Sequence, residues 1–212
     1  MTDDVSPVVR VVDDDVFFLE AVSRLLRAAG YKVRSFPGAD QFLRELTDTP
    51  GCVVADLQMP GLSGLGLQDA LRRAEYMLPV VFLSGKGDIP TTVLAMRDGA
   101  EDFLTKQAPK EKLLAAVDRA LAHDHRLRAD RARLDGLRAR FRSLTPRERE
   151  VLSHVVQGRL NKQIAADLGI HERTVKLHRT AITKKVRVQS VAELTRLVQE
   201  AGAFENRSPD LP

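Results

Sequence analysis

Short apolar runs alternate with amphipathic segments along the first half of the chain. Each run ends in polar residues, as expected of short strands buried on both faces. The segments between the runs carry apolar residues at helical spacing, and glycines such as Gly30 and Gly99 follow where helices end. Repeated units of strand then helix predict a parallel sheet with helices on both faces. The predicted strands are 8–12, 32–36, 52–55, 78–84 and 101–106, and the predicted helices are 16–29, 40–46, 65–74, 91–97 and 109–121.

Charged residues interrupt and follow the first of these strands. Arg10 lies in the middle of the apolar run 8–12, so we expect this strand to have one less covered face or to lie near the sheet edge. Three consecutive carboxylates follow the run, namely Asp13, Asp14 and Asp15. Like charges this close repel, so they should either point into water or hold something positive.

The start of the second half is predicted to be a single amphipathic helix. Leu127, Leu134 and Phe141 are seven residues apart, and the pattern can continue the last helix of the first half. Two interpretations remain open, since this helix can pack on its own C-terminal domain or form a dimeric coiled coil.

Signals for helix ends divide the remainder into further helices. Thr145 is the predicted N-cap of one helix and Glu148 its capping-box partner. Asn161 is predicted to cap a two-turn helix that Gly169 closes, and a longer helix follows over 172–187. Two helices joined by a tight turn that contains glycine indicate a helix-turn-helix.

Reactive side chains lie at the C-terminal ends of four of the predicted strands. Asp13 and Asp14 follow the first, Asp56 the third, Ser84 ends the fourth and Lys106 ends the fifth. The crevice of an open parallel sheet lies at the C-terminal ends of its strands, so these side chains should meet there. Clustered carboxylates favour a hard divalent cation such as Mg²⁺, and an aspartate can act as a nucleophile toward phosphorus. The set is complete for forming an aspartyl phosphate at Asp56.

The motifs "VVDDD", "DLQMPGLSG", "LSG" and "LTK" of this half resemble the receiver domain of bacterial response regulators. The resemblance covers about residues 6–124 and implies a doubly wound, flavodoxin-like α/β fold with a five-stranded parallel sheet. It implies that Asp56 takes a phosphoryl group from a histidine kinase, with Ser84 and Lys106 as its catalytic partners. The implied ligands of Mg²⁺ or Mn²⁺ are Asp13, Asp14, Asp56 and the backbone carbonyl of Gln58.

Three other positions of this half carry their own expectations. Phe103 is the candidate switch aromatic, with a core residue of the fifth strand as the alternative. Asp15 is expected to be a solvated turn residue. Gln107 stands where the family normally has a proline after the lysine, so we expect an altered loop after the fifth strand.

Charge separates the chain into an acidic and a basic half. Residues 1–124 contain 14 Lys and Arg against 19 Asp and Glu, whereas residues 125–212 contain 19 against 10. The basic half suggests a polyanionic partner such as a nucleic acid. The alternative is a basic surface that binds no partner. The single cysteine, Cys52, excludes an internal disulfide framework and fits a cytoplasmic protein. No apolar run is long enough to span a membrane.

The helix over 172–187 is expected to lie in the major groove of DNA. Val175, His178, Ile182 and Val186 recur at helical spacing and should face the core. The outward positions divide between those suited to base edges and those suited to phosphates. The candidate base-contacting residues are Lys176, Leu177 and Thr180, and the candidate phosphate-contacting residues are Thr174, Arg179 and Lys184.

The motifs "LTPREREVL" and "NKQIAADLGIHERTVKLHR", with the later "KK", resemble the LuxR-type helix-turn-helix over about residues 138–202. The resemblance implies an all-α, four-helix domain that binds pseudo-palindromic DNA as a dimer, pairing through its fourth helix. Val191, Leu194 and Leu197 of that helix would then belong either to the dimer face or to the core of the domain.

The two resemblances together are typical of a FixJ-type response regulator of a two-component system. We expect a receiver domain over 6–124, a helical linker over 125–143, a DNA-binding domain over 144–202 and a flexible tail over 203–212. Phosphorylation of Asp56 by a cognate histidine kinase should promote homodimerisation and binding to double-stranded DNA in the cytoplasm. RNA polymerase is a further candidate partner, and no enzymatic turnover is expected beyond self-phosphorylation and slow dephosphorylation.

Three other functions compete with this interpretation. A receiver that is never phosphorylated could be fused to the same DNA-binding domain, an alternative that rests on Gln107. A phosphohydrolase of the haloacid dehalogenase type would need an acidic residue two places after Asp56, where Gln58 stands. A protein-interaction adaptor would leave the basic helix-turn-helix without a role.

Overall fold

Strands and helices alternate along the N-terminal part of the chain, as the hydrophobic pattern predicts. A computed structural model describes residues 6–85 and 89–203 of the protein, without the side chains of 89–91. The chain divides into two units after Arg128. The predicted flexible tail lies, from residue 204 onward, outside the described residues. The elements of the first unit are β1 (Val8–Val12), α1 (Val16–Ala28), β2 (Lys32–Phe36), α2 (Ala39–Arg44), β3 (Gly51–Asp56), α3 (Gly64–Arg73), β4 (Val80–Ser84), α4 (Ile89–Arg97), β5 (Asp102–Thr105) and the beginning of α5 (Lys110–Arg142).

The sheet of the first unit is parallel throughout, with strand order β2-β1-β3-β4-β5. Side chains that alternate along a strand enter different cores. In β3, Val53 and Ala55 pack in a cluster with residues of α2 and α3, whereas Cys52 and Val54 pack with residues of α1 and α5. Both faces of the sheet are therefore covered by helices, and the predicted α/β fold is confirmed.

The prediction that β1 has one less covered face was wrong, whereas its alternative, a position near the sheet edge, agrees with the place of β1 beside the edge strand β2. β1 lies between β2 and β3, and Arg10 at its centre is only 2% exposed. The Arg10 guanidinium donates to the carbonyl oxygens of Val8 at 3.1 Å and Thr49 at 3.0 Å. Burial of the charged group is tolerated because carbonyl oxygens accept its hydrogen bonds.

The second unit consists of the end of α5 followed by α6 (Pro146–Val156), α7 (Asn161–Leu168), α8 (Glu172–Val186) and α9 (Val191–Ala201). The predicted capping box of α6 is present, since Thr145 and Glu148 each accept the backbone amide of the other. The prediction that Asn161 caps α7 was wrong. Leu160 is the N-cap, and its amide donates to the Gln163 side chain at 2.9 Å. Gly169 ends α7 in the left-handed conformation, with φ of 64°.

The last part of α5 packs on the helices that follow it. Leu137 and Phe141 are buried in the core of the second unit, whereas Leu127 and Leu134 are half-exposed. These contacts support the interpretation that the helix packs on its own C-terminal domain. In α9, Leu194 is in the same core, Leu197 packs against it and Val191 is exposed.

Candidate functional site

Four predicted site residues lie at the C-terminal ends of the strands. Asp13 follows β1, Asp56 ends β3, Ser84 ends β4 and Lys106 follows β5. Because β3 pairs in parallel with both β1 and β4, and β4 with β5, these strand ends lie at one edge of the sheet. The fold therefore brings the four side chains to a single surface.

Three carboxylates form a cluster at this edge. One oxygen from each of Asp13, Asp14 and Asp56 lies within 4.8 Å of the others. Asp13 and Asp56 are 2% and 6% exposed, whereas Asp14 is exposed. Burial raises the pKa of the Asp13 carboxyl above its ordinary value, in spite of opposing hydrogen bonds from Lys106 and the Asp15 amide. An acidic cluster of this kind is compatible with a divalent cation, whose charge would offset the repulsion.

Lys106 connects the two buried carboxylates. Its Nζ lies 2.7 Å from Asp13 Oδ2 and 3.3 Å from Asp56 Oδ2, with 19% of the lysine side chain exposed. Burial lowers the pKa of this ammonium, but the two carboxylates outweigh that effect and the net pKa lies above its ordinary value. Lys106 is therefore charged at neutral pH and places a positive charge within reach of Asp56.

Backbone amides orient the same two aspartates. Asp13 Oδ1 accepts the amide of Asp15 at 2.9 Å, and Asp56 Oδ1 accepts the amide of Leu57 at 2.8 Å. In both residues one carboxylate oxygen is held by the backbone and the other, Oδ2, faces Lys106. Each aspartate is thus oriented by one backbone amide and by Lys106.

The loop after β5 keeps Lys106 beside β4 although Gln107 replaces the usual proline. The Lys106 amide donates to the Ser84 carbonyl at 2.8 Å. The Ala108 amide donates to the Thr105 carbonyl at 2.9 Å, which closes a turn over Lys106 and Gln107. All peptide bonds of the described residues are trans. The altered loop is therefore a hydrogen-bonded turn.

Of two further predicted residues, Gln58 lies just after the end of β3, whereas Phe103 lies within β5, where it pairs with Phe82 of β4. Gln58 is exposed, two residues past Asp56, and its carbonyl as a metal ligand stays a prediction. Phe103 is half-buried and packs at the border of the core, with its ring centroid 6.5 Å from that of Phe82. Its position agrees with the core interpretation, and its role as a switch stays a prediction.

The connection from β1 to α1 contains two contacts that sequence reasoning missed. Asp15 is exposed, as predicted, but it also caps α1, because its side chain accepts the amides of Phe17 and Phe18. The ring of Phe18 lies against the Lys106 ammonium, with 4.5 Å from Nζ to the ring centroid. The sequence "DDDVFFL" gives a signal for the cap but none for this contact.

Helix α8 buries one side and exposes the other. Val175, Ile182 and Val186 are buried and His178 is half-buried, as the helical spacing predicts. The opposite side carries a long apolar side chain among polar ones, a combination suited to base edges and thymine methyl groups. The predicted base-contacting residues are all exposed, namely Lys176, Leu177 and Thr180.

The predicted phosphate-contacting residues differ in their neighbours. Arg179 donates through Nη1 to Asn161 Oδ1 at 3.0 Å, which links α8 to the first turn of α7. Lys184 is exposed and has no ion pair among the described residues, and Thr174 is half-buried. Asn161, whose predicted role was a cap, thus contacts a residue of α8.

An ion pair whose carboxylate is buried joins α6 to α8. Glu148 is 5% exposed and accepts from Lys185 Nζ and from the Thr145 amide, both at 2.7 Å. Lys185 belongs to the "KK" motif, but its ammonium contacts Glu148, whereas Lys184 remains on the surface. Two adjacent lysines therefore have different surroundings.

A phosphoacceptor-type acidic site on a parallel sheet, joined in one chain to a helix-turn-helix, defines the class of DNA-binding response regulators. Residues 9–118 match the family model of the response regulator receiver domain. Residues 142–198 match the model of bacterial regulatory proteins of the luxR family. The chain therefore belongs to the two-component response regulators that carry a LuxR-type DNA-binding domain.

Known regulators resemble the chain over nearly its whole length. Nodulation protein W of Bradyrhizobium diazoefficiens is 39% identical over 95% of this chain and 89% of its own length. Transcriptional regulatory protein FixJ of the same organism is 35% identical over 92% of this chain and 96% of its own. The low-resolution structure of the response regulator StyR has a TM-score of 0.82 and 43% identity, covering 92% of this chain and 99% of its own. The predicted resemblance to FixJ-type regulators is confirmed.

The family fixes the general function of the chain. It is a transcriptional response regulator, with a histidine kinase and DNA as the partners that its two domains imply. In the part of the chain that the structure describes, no helix has the length and apolar character needed to cross a membrane.

Proposed function

We propose that Asp56 accepts a phosphoryl group from the cognate histidine kinase. A carboxylate oxygen of Asp56 attacks phosphorus while the bond from phosphorus to the imidazole nitrogen of the kinase breaks, and the imidazole leaves with the electron pair. The observation that carries this proposal is the position of Lys106 Nζ, 3.3 Å from Asp56 Oδ2 in a largely buried acidic cluster. This ammonium can neutralise charge on a phosphoryl oxygen as the new bond forms.

The acidic cluster fits a divalent cation, for which we propose Mg²⁺ or Mn²⁺. When bound, the cation would neutralise part of the charge on the phosphoryl oxygens. The Ser84 hydroxyl would donate to one phosphoryl oxygen, and Lys106 would turn from Asp13 toward another. The proposed ligands are Asp13, Asp14, Asp56 and the backbone carbonyl of Gln58.

Phosphorylation is proposed to shift the surface formed by α4 and β5, with Phe103 as the switch residue, and to promote homodimerisation. A dimer presents two copies of α8, so the second DNA contact becomes intramolecular and gains effective concentration.

We place this regulator in the cytoplasm, with RNA polymerase as a further partner. We propose no enzymatic turnover beyond self-phosphorylation and slow dephosphorylation. The proposed base contacts are Lys176, Leu177 and Thr180, and the proposed phosphate contacts are Thr174, Arg179 and Lys184.

Labelling of the purified chain with radioactive acetyl phosphate and Mg²⁺ tests the acceptor. Asp56→Asn is expected to take up no label. Asp15→Asn is the matched control, because asparagine also caps helices, and it should be labelled like the wild type. Label retained by Asp56→Asn would place the acceptor elsewhere. A wild-type chain that takes up no label would support the phosphorylation-independent receiver that Gln107 suggested.

A further inference from the structure

The Lys106 ammonium has an aromatic neighbour that comes from a different element. Its Nζ lies 4.5 Å from the centroid of the Phe18 ring, in addition to its contacts with Asp13 and Asp56. A cation at this distance over a ring face is attracted by the ring quadrupole. The Phe18 ring is therefore a third neighbour of the Lys106 ammonium, beside the carboxylates of Asp13 and Asp56.

The first turn of α1 holds this ring in place. The Phe18 amide donates to the Asp15 cap at 3.1 Å, and the side chain is half-buried against the core formed with α1 and α5. A cavity of about 180 Å³ lies beside it, lined by Phe18 and Leu25 of α1 and by Lys106 and Ala108 of the loop after β5. Phe18 is therefore one of the side chains that border the space into which the Lys106 side chain could move.

We propose that Phe18 is a positioning residue for Lys106 in the phosphorylation of Asp56. This inference rests on the proposed function. A lysine side chain is long and flexible, so a group that fixes its end increases the fraction of molecules ready for phosphoryl transfer. The turn that contains Gln107 holds the backbone of Lys106, whereas Phe18 contacts its charged end, in addition to the ion pairs with Asp13 and Asp56.

Three variants separate the role of the ring from that of apolar bulk. Phe18→Leu keeps a large apolar side chain but removes the ring face, and Phe18→Tyr keeps the ring face. Phe17→Leu is the matched control, because Phe17 is adjacent and 87% exposed, and its ring contacts no cation among the described residues. Acetyl phosphate as donor avoids any effect of these changes on kinase docking.

The full-length chain with Mg²⁺ is assayed for kcat/KM of phosphorylation, and thermal midpoints are measured in parallel. Phe18→Leu is expected to lower kcat/KM by about three- to tenfold through kcat, the range of one cation–π contact. Phe18→Tyr and Phe17→Leu should stay near the wild-type rate. A Phe18→Leu rate equal to that of Phe17→Leu, or an equal loss in Phe18→Tyr, would overturn the positioning role.

A second measurement needs no variant and no phosphoryl donor. The ε-methylene protons of Lys106 in the wild-type chain should be shifted upfield in NMR spectra by the ring current of Phe18. Unshifted protons would overturn the inference and leave the proposed function untouched. Label on Asp56→Asn, by contrast, would overturn the proposed function on which the inference rests.

Discussion

Substitution of either of two adjacent lysines near the end of α8 by alanine is expected to have very different effects on stability. Both lysines are exposed, but Lys185 Nζ contacts the buried carboxylate of Glu148 at 2.7 Å, whereas Lys184 has no ion pair among the described residues. Lys184→Ala and Lys185→Ala remove the same side chain from neighbouring positions of one helix turn. Differences in helix propensity and in the helix dipole therefore nearly cancel, and the comparison isolates the ion pair.

The loss of stability in Lys185→Ala depends on the hydrogen bonds that the Glu148 carboxylate keeps. Without Lys185, the buried carboxylate of Glu148 keeps the Thr145 amide as its hydrogen-bond donor. A charge-assisted hydrogen bond is worth about 1.5–3 kcal/mol. Because the Lys185 side chain is 37% exposed, water can replace part of this bond, and we expect a loss of about 2 kcal/mol. Lys184→Ala should change the free energy of unfolding by less than about 0.5 kcal/mol.

Amide hydrogen exchange followed by mass spectrometry measures this difference. The chain has two units and no tryptophan, so exchange in peptides from α6 to α9 is more informative than a single spectroscopic transition. Lys185→Ala should lower protection there by about thirtyfold, whereas Lys184→Ala should leave it unchanged and weaken binding to all DNA sequences. Equal protection in the two variants would refute the assignment of Lys185 to the fold.

The same pair predicts a pH dependence. Burial raises the pKa of the Glu148 carboxyl, but Lys185 and Thr145 outweigh it and hold the pKa below the ordinary value of 4.5. A carboxyl with a lowered pKa in the folded state stabilises the fold above its unfolded pKa, and this is lost as pH falls through the folded value. The stability difference between Lys185→Ala and the wild type should therefore shrink below about pH 4.5.

Three further substitutions test the DNA-binding surface and the acidic site. Lys176→Ala should relax operator preference in a binding assay over a panel of base-pair changes, and an unchanged preference would remove Lys176 from the base-contacting surface. A Cβ added at Gly64 would lie 2.4 Å from the Asp56 carbonyl oxygen, so Gly64→Ala should cost about 1–3 kcal/mol in denaturant unfolding and slow phosphorylation. Asn161→Ala should weaken DNA binding in the same direction as Arg179→Ala but less strongly, since it removes the hydrogen bond that orients Arg179; equal affinity to the wild type would contradict this.

Hydrophobic periodicity was sufficient to predict the strands of the sheet, because each strand is a short apolar run that is visible in the local sequence. The bounds predicted for β1 and β2 agree with the structure, since each is a short run between polar or turn-forming residues. Helix ends were less accurate, as the two-residue shift at the start of α4 shows. Asparagine is a good helix cap, which favours Asn161 as the cap of α7, but its side chain instead accepts a hydrogen bond from Arg179, 18 residues away.

Contacts between distant residues account for the errors in β1. Arg10 suggested a strand with an open face because an isolated charge in a core would be very costly. The loop before β3 supplies the carbonyl of Thr49, 39 residues away, to the guanidinium. Asp124 of α5, 73 residues from Gly51, accepts the Gly51 amide at 2.8 Å in the same region. No local pattern around Arg10 contains these partners, so periodicity alone could not predict that the charge is buried.

The same reasoning applies to the three consecutive carboxylates after β1. Asp13 is buried against Lys106, Asp14 is exposed within the acidic cluster, and Asp15 caps α1. Residue type is identical at the three positions, so chemistry alone cannot distinguish them. The direction of the backbone decides, because a strand that ends and a helix that begins within three residues send successive side chains to different surroundings. A family motif identifies Asp13 and Asp14 by position, but the structural role of Asp15 follows only from the amides of Phe17 and Phe18 that it accepts.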